Sequence, residues 1–347
     1  MGNTWFEREI REQPDVLAGL LAGGREPIEE VAERIRAYHP RSVVIAARGT
    51  SGNAGRYAQY VFGAHNRLSV ALATPSLYTV YQQPPDLSGS LVIGISQSGQ
   101  STDIVSVVGE ARRQGAFTLA VTNDADSPMA NAAEFCFPLR AGVERAVAAT
   151  KTYTNELLAV AMLSAALASD EEEWDALAGV PEALAATIDA NDRLAQQTAR
   201  YTYVRHFVVI GRGYNYATAC EVALKLKETS YVVAEPFSSA DFQHGPIAVI
   251  EAGFPVILVA PSGEAFPDVA QLIARLNDLG AEIITITDQA DVVSESGIVL
   301  PLAPAVPEWL SPIVAVAPGQ LLALAQTELR GFNPDQPRGL TKVTFTR

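Results

Sequence analysis

Four of the seven side chains from Ser96 to Thr102 carry a hydroxyl: Ser96, Ser98, Ser101 and Thr102. The run follows the apolar stretch Leu91 to Ile95 and precedes the helical pattern Ile104, Val105, Val107 and Val108. It is therefore predicted to join a buried strand to a helix N-terminus. Such a start offers unpaired N–H groups, and Gly99 permits close backbone approach, so the segment could hold a phosphate without any lysine. An ordinary Ser/Thr helix cap is the alternative. Gly49-Thr-Ser-Gly-Asn53, after an earlier strand, would bring Thr50 and Ser51 to the same sheet edge. Neither segment has the spacing of a P-loop or a dinucleotide fingerprint, so a small phosphorylated metabolite is expected rather than a nucleotide.

Acid and base groups lie in the second half. Glu221, Lys225 and Glu228 fall at i, i+4 and i+7 of one predicted helix stripe, which reads either as a site or as a solvated face with ion pairs. Sixteen residues later comes His244, in a loop where Gly245 and Pro246 fix the backbone. His39 precedes a proline, His65 is read as lying past a helix and His206 opens a strand, so these three are expected at the surface or in packing. A carboxylate to carry a proton between carbons and an imidazole to open a sugar ring would form a complete pair for aldose–ketose interconversion. Spacing alone does not bring them together.

The elements that must position these groups occur twice. Arg48-Gly49 recurs as Arg212-Gly213 and Ser98-Gly99 as Ser262-Gly263, both at an offset of 164, and Gly115 to Ala125 recurs as Gly280 to Ala290 at 165. Each copy alternates Val/Ile-rich runs with Ala-rich helical stretches, which predicts two open α/β layers with ligands near the C-terminal ends of parallel strands. In the second copy the hydroxyl-rich loop has become Ala260-Pro-Ser-Gly-Glu264, so its anion site is expected to have decayed. Residues 1–38 read as two amphipathic helices flanking Gly23-Gly24, 39–168 as the first domain, 169–200 as a helical junction, 201–330 as the second domain and 331–347 as a tail. The acidic run Asp170 to Glu173 reads as a solvated helix start.

A length of 347 residues with 48% apolar side chains allows two cores. A net charge of -14 argues against nucleic acid or an anionic membrane as partner. Cys136 and Cys220 sit in apolar surroundings, as buried thiols in a reducing compartment would. The N-terminus lacks a basic segment leading into an apolar run, and no stretch reaches about 18 uninterrupted apolar residues, so no membrane targeting and a cytoplasmic location are expected.

Taken in order, Glu9 to Pro14, Ser96 to Gly99, Ala149 to Lys151, Leu224 to Glu228, His244 to Pro246 and Asp335 to Pro337 resemble sugar isomerase (SIS) domains, in the tandem arrangement of the isomerase half of glutamine–fructose-6-phosphate aminotransferase. The resemblance implies two tandem SIS domains, each a parallel sheet flanked by helices on both faces. It implies that Thr50, Ser51, Ser96, Gln97, Ser98 and Ser101 or Thr102 bind the sugar phosphate. Glu228 matches the carboxylate for C1–C2 proton transfer, His244 the ring-opening histidine contributed by a neighbouring subunit, and Lys342 the tail lysine. Glu221 and Lys225 match supporting residues, and Val147 a backbone contact to the sugar. A homodimer is thus implied.

About 40 residues precede the first strand here and no cysteine lies among them, whereas the aminotransferase carries a glutaminase domain with a nucleophilic cysteine, so no built-in ammonia source is expected. The segments Leu139 to Glu144, Ala146 to Lys151 and Asn333 to Val343 resemble SIS-type glucosamine-6-phosphate deaminases. The expected reaction is glucosamine 6-phosphate and water to fructose 6-phosphate and ammonium, with no metal or redox cofactor and with Lys342 as a Schiff-base former or a steadying cation. A synthase-like isomerase, a fructosamine-phosphate deglycase and a non-enzymatic sugar-phosphate sensor are the alternatives. Gln100 departs from the acidic residue usual in the aminotransferase loop.

Overall fold

A computed structural model describes residues 4–289, 297–303 and 306–342. Ala290, at the end of the third repeated block, and Val343 to Arg347, at the end of the tail, lie outside the described residues. The chain forms two compact units, one from Asp15–Glu144, Lys151–Ala178 and the tail from Thr341, the other from the residues up to Pro14, Arg145–Thr150 and Gly179–Leu340.

Each unit holds one five-stranded parallel sheet. In the first, β1 (Ser42–Ala46), β2 (Val70–Leu72), β3 (Ser90–Ser96), β4 (Phe117–Thr122) and β5 (Phe135–Pro138) lie in the order β2-β1-β3-β4-β5. The second contains β6 (His206–Gly211), β7 (Val233–Ser238), β8 (Pro255–Val259), β9 (Glu282–Thr287) and β10 (Ile298–Pro301), ordered β10-β9-β8-β6-β7. Read from the other end this is the same order, as a doubled sequence requires. All residues of β3, β4 and β8 are buried, the condition of parallel strands covered on both faces.

The repeat extends to the cores. Ile104, Val107, Val108 and Ala111 pack one helix against β3 and β4, and 165 residues later Val269, Leu272, Ile273 and Leu276 do the same against β8 and β9. Spacing of i, i+3, i+4 and i+7 gives each helix one apolar stripe for its sheet.

Four expectations need correction. The N-terminal segment is one continuous helix, α1 (Trp5–Tyr38), rather than two flanking Gly23-Gly24. Two helix-interior glycines cost about 1 kcal/mol each relative to alanine, but here they make room. A Cβ on Gly23 would strike the Arg140 guanidinium, and one on Gly24 would come within 3.0 Å of Met162 Cε and 3.1 Å of Phe137 Cζ. His65 lies in the last turn of α2 (Gly49–Asn66), not beyond it. The acidic run is also more than a solvated start: Glu173 pairs with His65 at 2.6 Å and Glu171 with Arg25 at 2.7 Å. Of the thiols, Cys220 is buried, but Cys136 is only half-buried, and burial pushes its thiol above the ordinary value.

Among the described residues, the stretch Glu308–Leu329 is long and apolar enough to cross a bilayer, but its most apolar window is wholly buried within the second-sheet unit. It serves there as a core helix, with Gln320 and Gln326 buried in it.

Candidate active site

The strand order reverses between β1 and β3, and the chain leaves their adjacent C-terminal ends into α2 and α3 (Thr102–Arg113). Such a switch point is where open α/β sheets bind ligands. Thr50 and Ser51 open α2, and Ser96, Gln97, Ser98 and Ser101 lead into α3, so the predicted cradle residues share one edge. Arg48 Nε and the buried Asp103 carboxylate tie the two turns together at 2.8 Å. Ser101 occupies the N-cap position of α3 without a side-chain capping bond, so the simple capping reading does not account for its hydroxyl. Ser96 Oγ accepts from the Gly99 N–H at 3.2 Å, and Ser98 Oγ from the Gln100 N–H at 3.3 Å. Ser51 donates its proton to the buried Glu156 at 2.7 Å.

Gly99 has a φ of 61°, and a Cβ there would strike Ser127. Gly99→Ala is therefore expected to displace the loop and to weaken binding of inorganic phosphate by at least about tenfold, measured by calorimetry. Unchanged affinity would remove this loop from the anion site. Beside the loop lies an open basin of about 620 Å³, lined by Gln97, Ser98, Asn123, Asp124, Arg140 and Glu144 among others. Its size suits a small phosphorylated metabolite.

Lys342 reaches this same unit. Its Nζ lies 2.8 Å from Glu144, whose carboxylate is fully buried and also accepts from the Thr152 N–H at 3.1 Å and hydroxyl at 2.8 Å. Thr152 stands in the first turn of α4 (Lys151–Ala168).

The second-sheet unit holds the candidate acid–base groups. Helix α5 (Tyr216–Lys225) continues into a π-turn, Leu226–Ser230. Rather than forming a solvated stripe, Glu221 and Lys225 are buried at 0% and 1% side-chain exposure, while Glu228 keeps 22%. Lys225 Nζ stands 3.3 Å from Glu221 and 2.5 Å from Glu228. Burial pulls this ammonium down, but the two carboxylates outweigh it and hold the group above lysine's ordinary value. The π-turn matters because a widened turn changes which way the next side chains point, and such turns recur at functional sites. Here it leaves Glu228 as the one member of the triad with a carboxylate open to solvent.

The equivalent switch point in this unit is already filled. Glu308 accepts from the N–H groups of Glu264 at 2.6 Å and Ala265 at 3.2 Å, just ahead of α6 (Phe266–Asp278). Asp288 accepts from the Ser262 N–H at 2.7 Å and hydroxyl at 2.5 Å. The protein's own carboxylates occupy the position of an anion, which is the physical form of the decay expected from the lost hydroxyls.

His244 follows a short helix, Ser239–Gln243, and is exposed. Val147 is half-buried in the irregular segment Arg145–Thr150, which belongs to the second-sheet unit although its neighbours in sequence do not. Sequence reasoning missed Asp103 and Glu156 as members of the cradle and Glu144 as the partner of Lys342. The repeat contained a signal for the first: Arg48 with Asp103 recurs as Arg212 with Asp268, 3.6 Å apart.

A profile of the SIS domain matches residues 38–166 and again 201–327. The chain is 36% identical over 344 residues to an isomerising glutamine–fructose-6-phosphate aminotransferase of Thermococcus kodakarensis, covering 96% of this chain and 57% of that relative, so it spans little more than half of that protein. A crystal structure of a provisionally assigned phosphosugar isomerase from Silicibacter pomeroyi is 32% identical, with a TM-score of 0.87 and coverage of 96% of this chain and all of the other. The C-terminal domain of the Francisella tularensis glucosamine–fructose-6-phosphate aminotransferase superposes with a TM-score of 0.89 at 26% identity, covering 97% of this chain and 99% of that domain. With two ordered matches to one profile and a relative similar along its whole length, the chain belongs to the SIS-domain family and carries two copies of the domain.

Proposed function

We propose that the chain is an aldose–ketose isomerase of amino-sugar phosphates, with the net reaction glucosamine 6-phosphate and water to fructose 6-phosphate and ammonium. The observation that carries the reading is the Glu221–Lys225–Glu228 triad, in which a buried ammonium orients one solvent-facing carboxylate. A positioned carboxylate of this kind is what proton transfer between neighbouring carbons needs. The phosphate docks on Thr50 and on Ser96 to Thr102, where hydroxyls and helix-start N–H groups replace a lysine.

His244 delivers a proton to the ring oxygen as the bond from C1 to the ring oxygen breaks, and the C1 hydroxyl gives up its proton as the aldehyde carbonyl forms. Glu228 removes the C2 proton, and the electron pair of that bond forms C1=C2 while the C1 oxygen is protonated. Return of the proton to C1 leaves an imine at C2. Water adds there and ammonia departs, so atoms balance without an outside oxidant or reductant. Lys342, paired with Glu144, supplies positive charge near the developing enolate. The exposed position of His244 leaves it available to a second copy of the chain, and we propose a cytoplasmic homodimer in which it serves the neighbour.

The hydrolytic direction rests on the three segments that resemble deaminases, two of which meet where Lys342 pairs with Glu144. A second reading, net synthesis with ammonia from elsewhere, is favoured by the names of the aminotransferase relatives. Incubation with glucosamine 6-phosphate, following ammonium and fructose 6-phosphate, separates them. Equimolar release of both supports the deaminase, whereas isomerase activity on fructose 6-phosphate without ammonium release supports the alternative. No conversion of either sugar would overturn both.

A further inference from the structure

The motifs Glu9 to Pro14 and Asp335 to Pro337 have no part in the reaction above, yet the structure joins them to a segment that does. Residues 139–150 form neither helix nor strand, so no regular ladder pairs their N–H groups and the buried ones need partners elsewhere. Two of them meet Glu9, whose carboxylate accepts from Arg145 N at 2.5 Å and from Ala146 N at 3.1 Å across some 136 residues of chain. Glu9 is 1% exposed and Ala146 is fully buried. The same end of α1 is itself anchored: the Asp335 carboxylate accepts from the Trp5 and Phe6 N–H groups at 2.9 Å each, and the Trp5 ring lies 4.5 Å from the Arg145 guanidinium.

We infer that Glu9 is a positioning residue: through the backbone of Arg145 and Ala146 it fixes the strap Arg145–Thr150, and with it Val147, against the sugar. This rests on the proposed function, in which the Ser96 to Thr102 turn holds the phosphate, and on the backbone contact to the sugar that the SIS resemblance implies for Val147. A glutamine at position 9 would keep the shape but replace one acceptor oxygen by an NH2 facing a backbone N–H. One of the two bonds from Glu9 to the strap would then be lost, and the strap would loosen. Small misplacements of contacting groups are expensive, so the sugar should bind less well while the phosphate grip is untouched.

The test compares the full-length protein with Glu9→Gln, using a sugar-alcohol 6-phosphate as a ligand that lacks a carbonyl and cannot turn over. Amide exchange at Arg145 and Ala146 is expected to accelerate by at least about tenfold, and affinity for the sugar-alcohol phosphate to fall about tenfold, with affinity for inorganic phosphate unchanged. Unchanged sugar affinity overturns the inference, as does a parallel fall for sugar and inorganic phosphate, which would indicate general loosening. Should Glu9→Gln not fold, Glu9→Asp, which keeps the charge but withdraws it by one methylene, is read in the same way. If the unaltered chain binds no sugar phosphate, the proposed function falls and this inference with it. Binding by the unaltered chain and equal binding by the variant removes the positioning role alone.

Discussion

Glu228→Gln is expected to lower turnover of glucosamine 6-phosphate by about 10³-fold, within the usual range for removing a general acid–base group. The substitution preserves shape and one acceptor for Lys225 Nζ, now 2.5 Å from the carboxylate, so the fold and the phosphate cradle should persist. Binding of a non-reacting sugar phosphate by calorimetry and turnover by ammonium release distinguish the two roles. Normal turnover in this variant would remove Glu228 from the reaction. Loss of binding together with turnover would recast it as a binding group.

The largest effect on stability is expected from Lys225→Met. The lysine is fully buried and stands within ion-pair distance of two carboxylates, one of them also buried. Taking away the cation leaves like charges facing one another, and breaking a buried ion pair from one side costs about 3–5 kcal/mol. Urea unfolding at neutral pH would measure the loss. The folded-state value of Lys225 is raised, so its contribution is fully present below the unfolded value of lysine and is lost only as pH climbs through the higher folded value. The wild-type protein should accordingly show no loss from this group anywhere in the neutral range. In the variant the cost should shrink as pH falls and a carboxylate takes up a proton, and a penalty below about 1 kcal/mol would contradict the assigned burial.

Much of the architecture was legible because it is written twice. The Arg-Gly turns at Gly49 and Gly213 both adopt positive φ, at 52° and 56°, and the apolar stripes of α3 and α6 match residue for residue at an offset of 165. Two independent runs obeying one spacing leave little freedom in topology. The hydroxyl turn was legible for a related reason, since a loop between a buried strand and a helix has few places to go. What escaped depends on partners distant in sequence. Gly23-Gly24 looks like a break until Arg140, Met162 and Phe137 are seen to need the space. The π-turn at Leu226–Ser230 alters the direction of Glu228 without altering any spacing. Glu308 fills the second switch point from 44 residues away, and a single glutamate after a proline gives no sign of that.

Proton transfer between C1 and C2 is common to the hydrolytic and synthetic directions, so it tests the central claim most directly. Fructose 6-phosphate is incubated with the protein in deuterium oxide and followed by NMR. Stereospecific incorporation of one deuteron at C1, abolished in Glu228→Gln, is the expected result. A sugar that binds yet keeps both C1 protons through prolonged incubation would contradict the account.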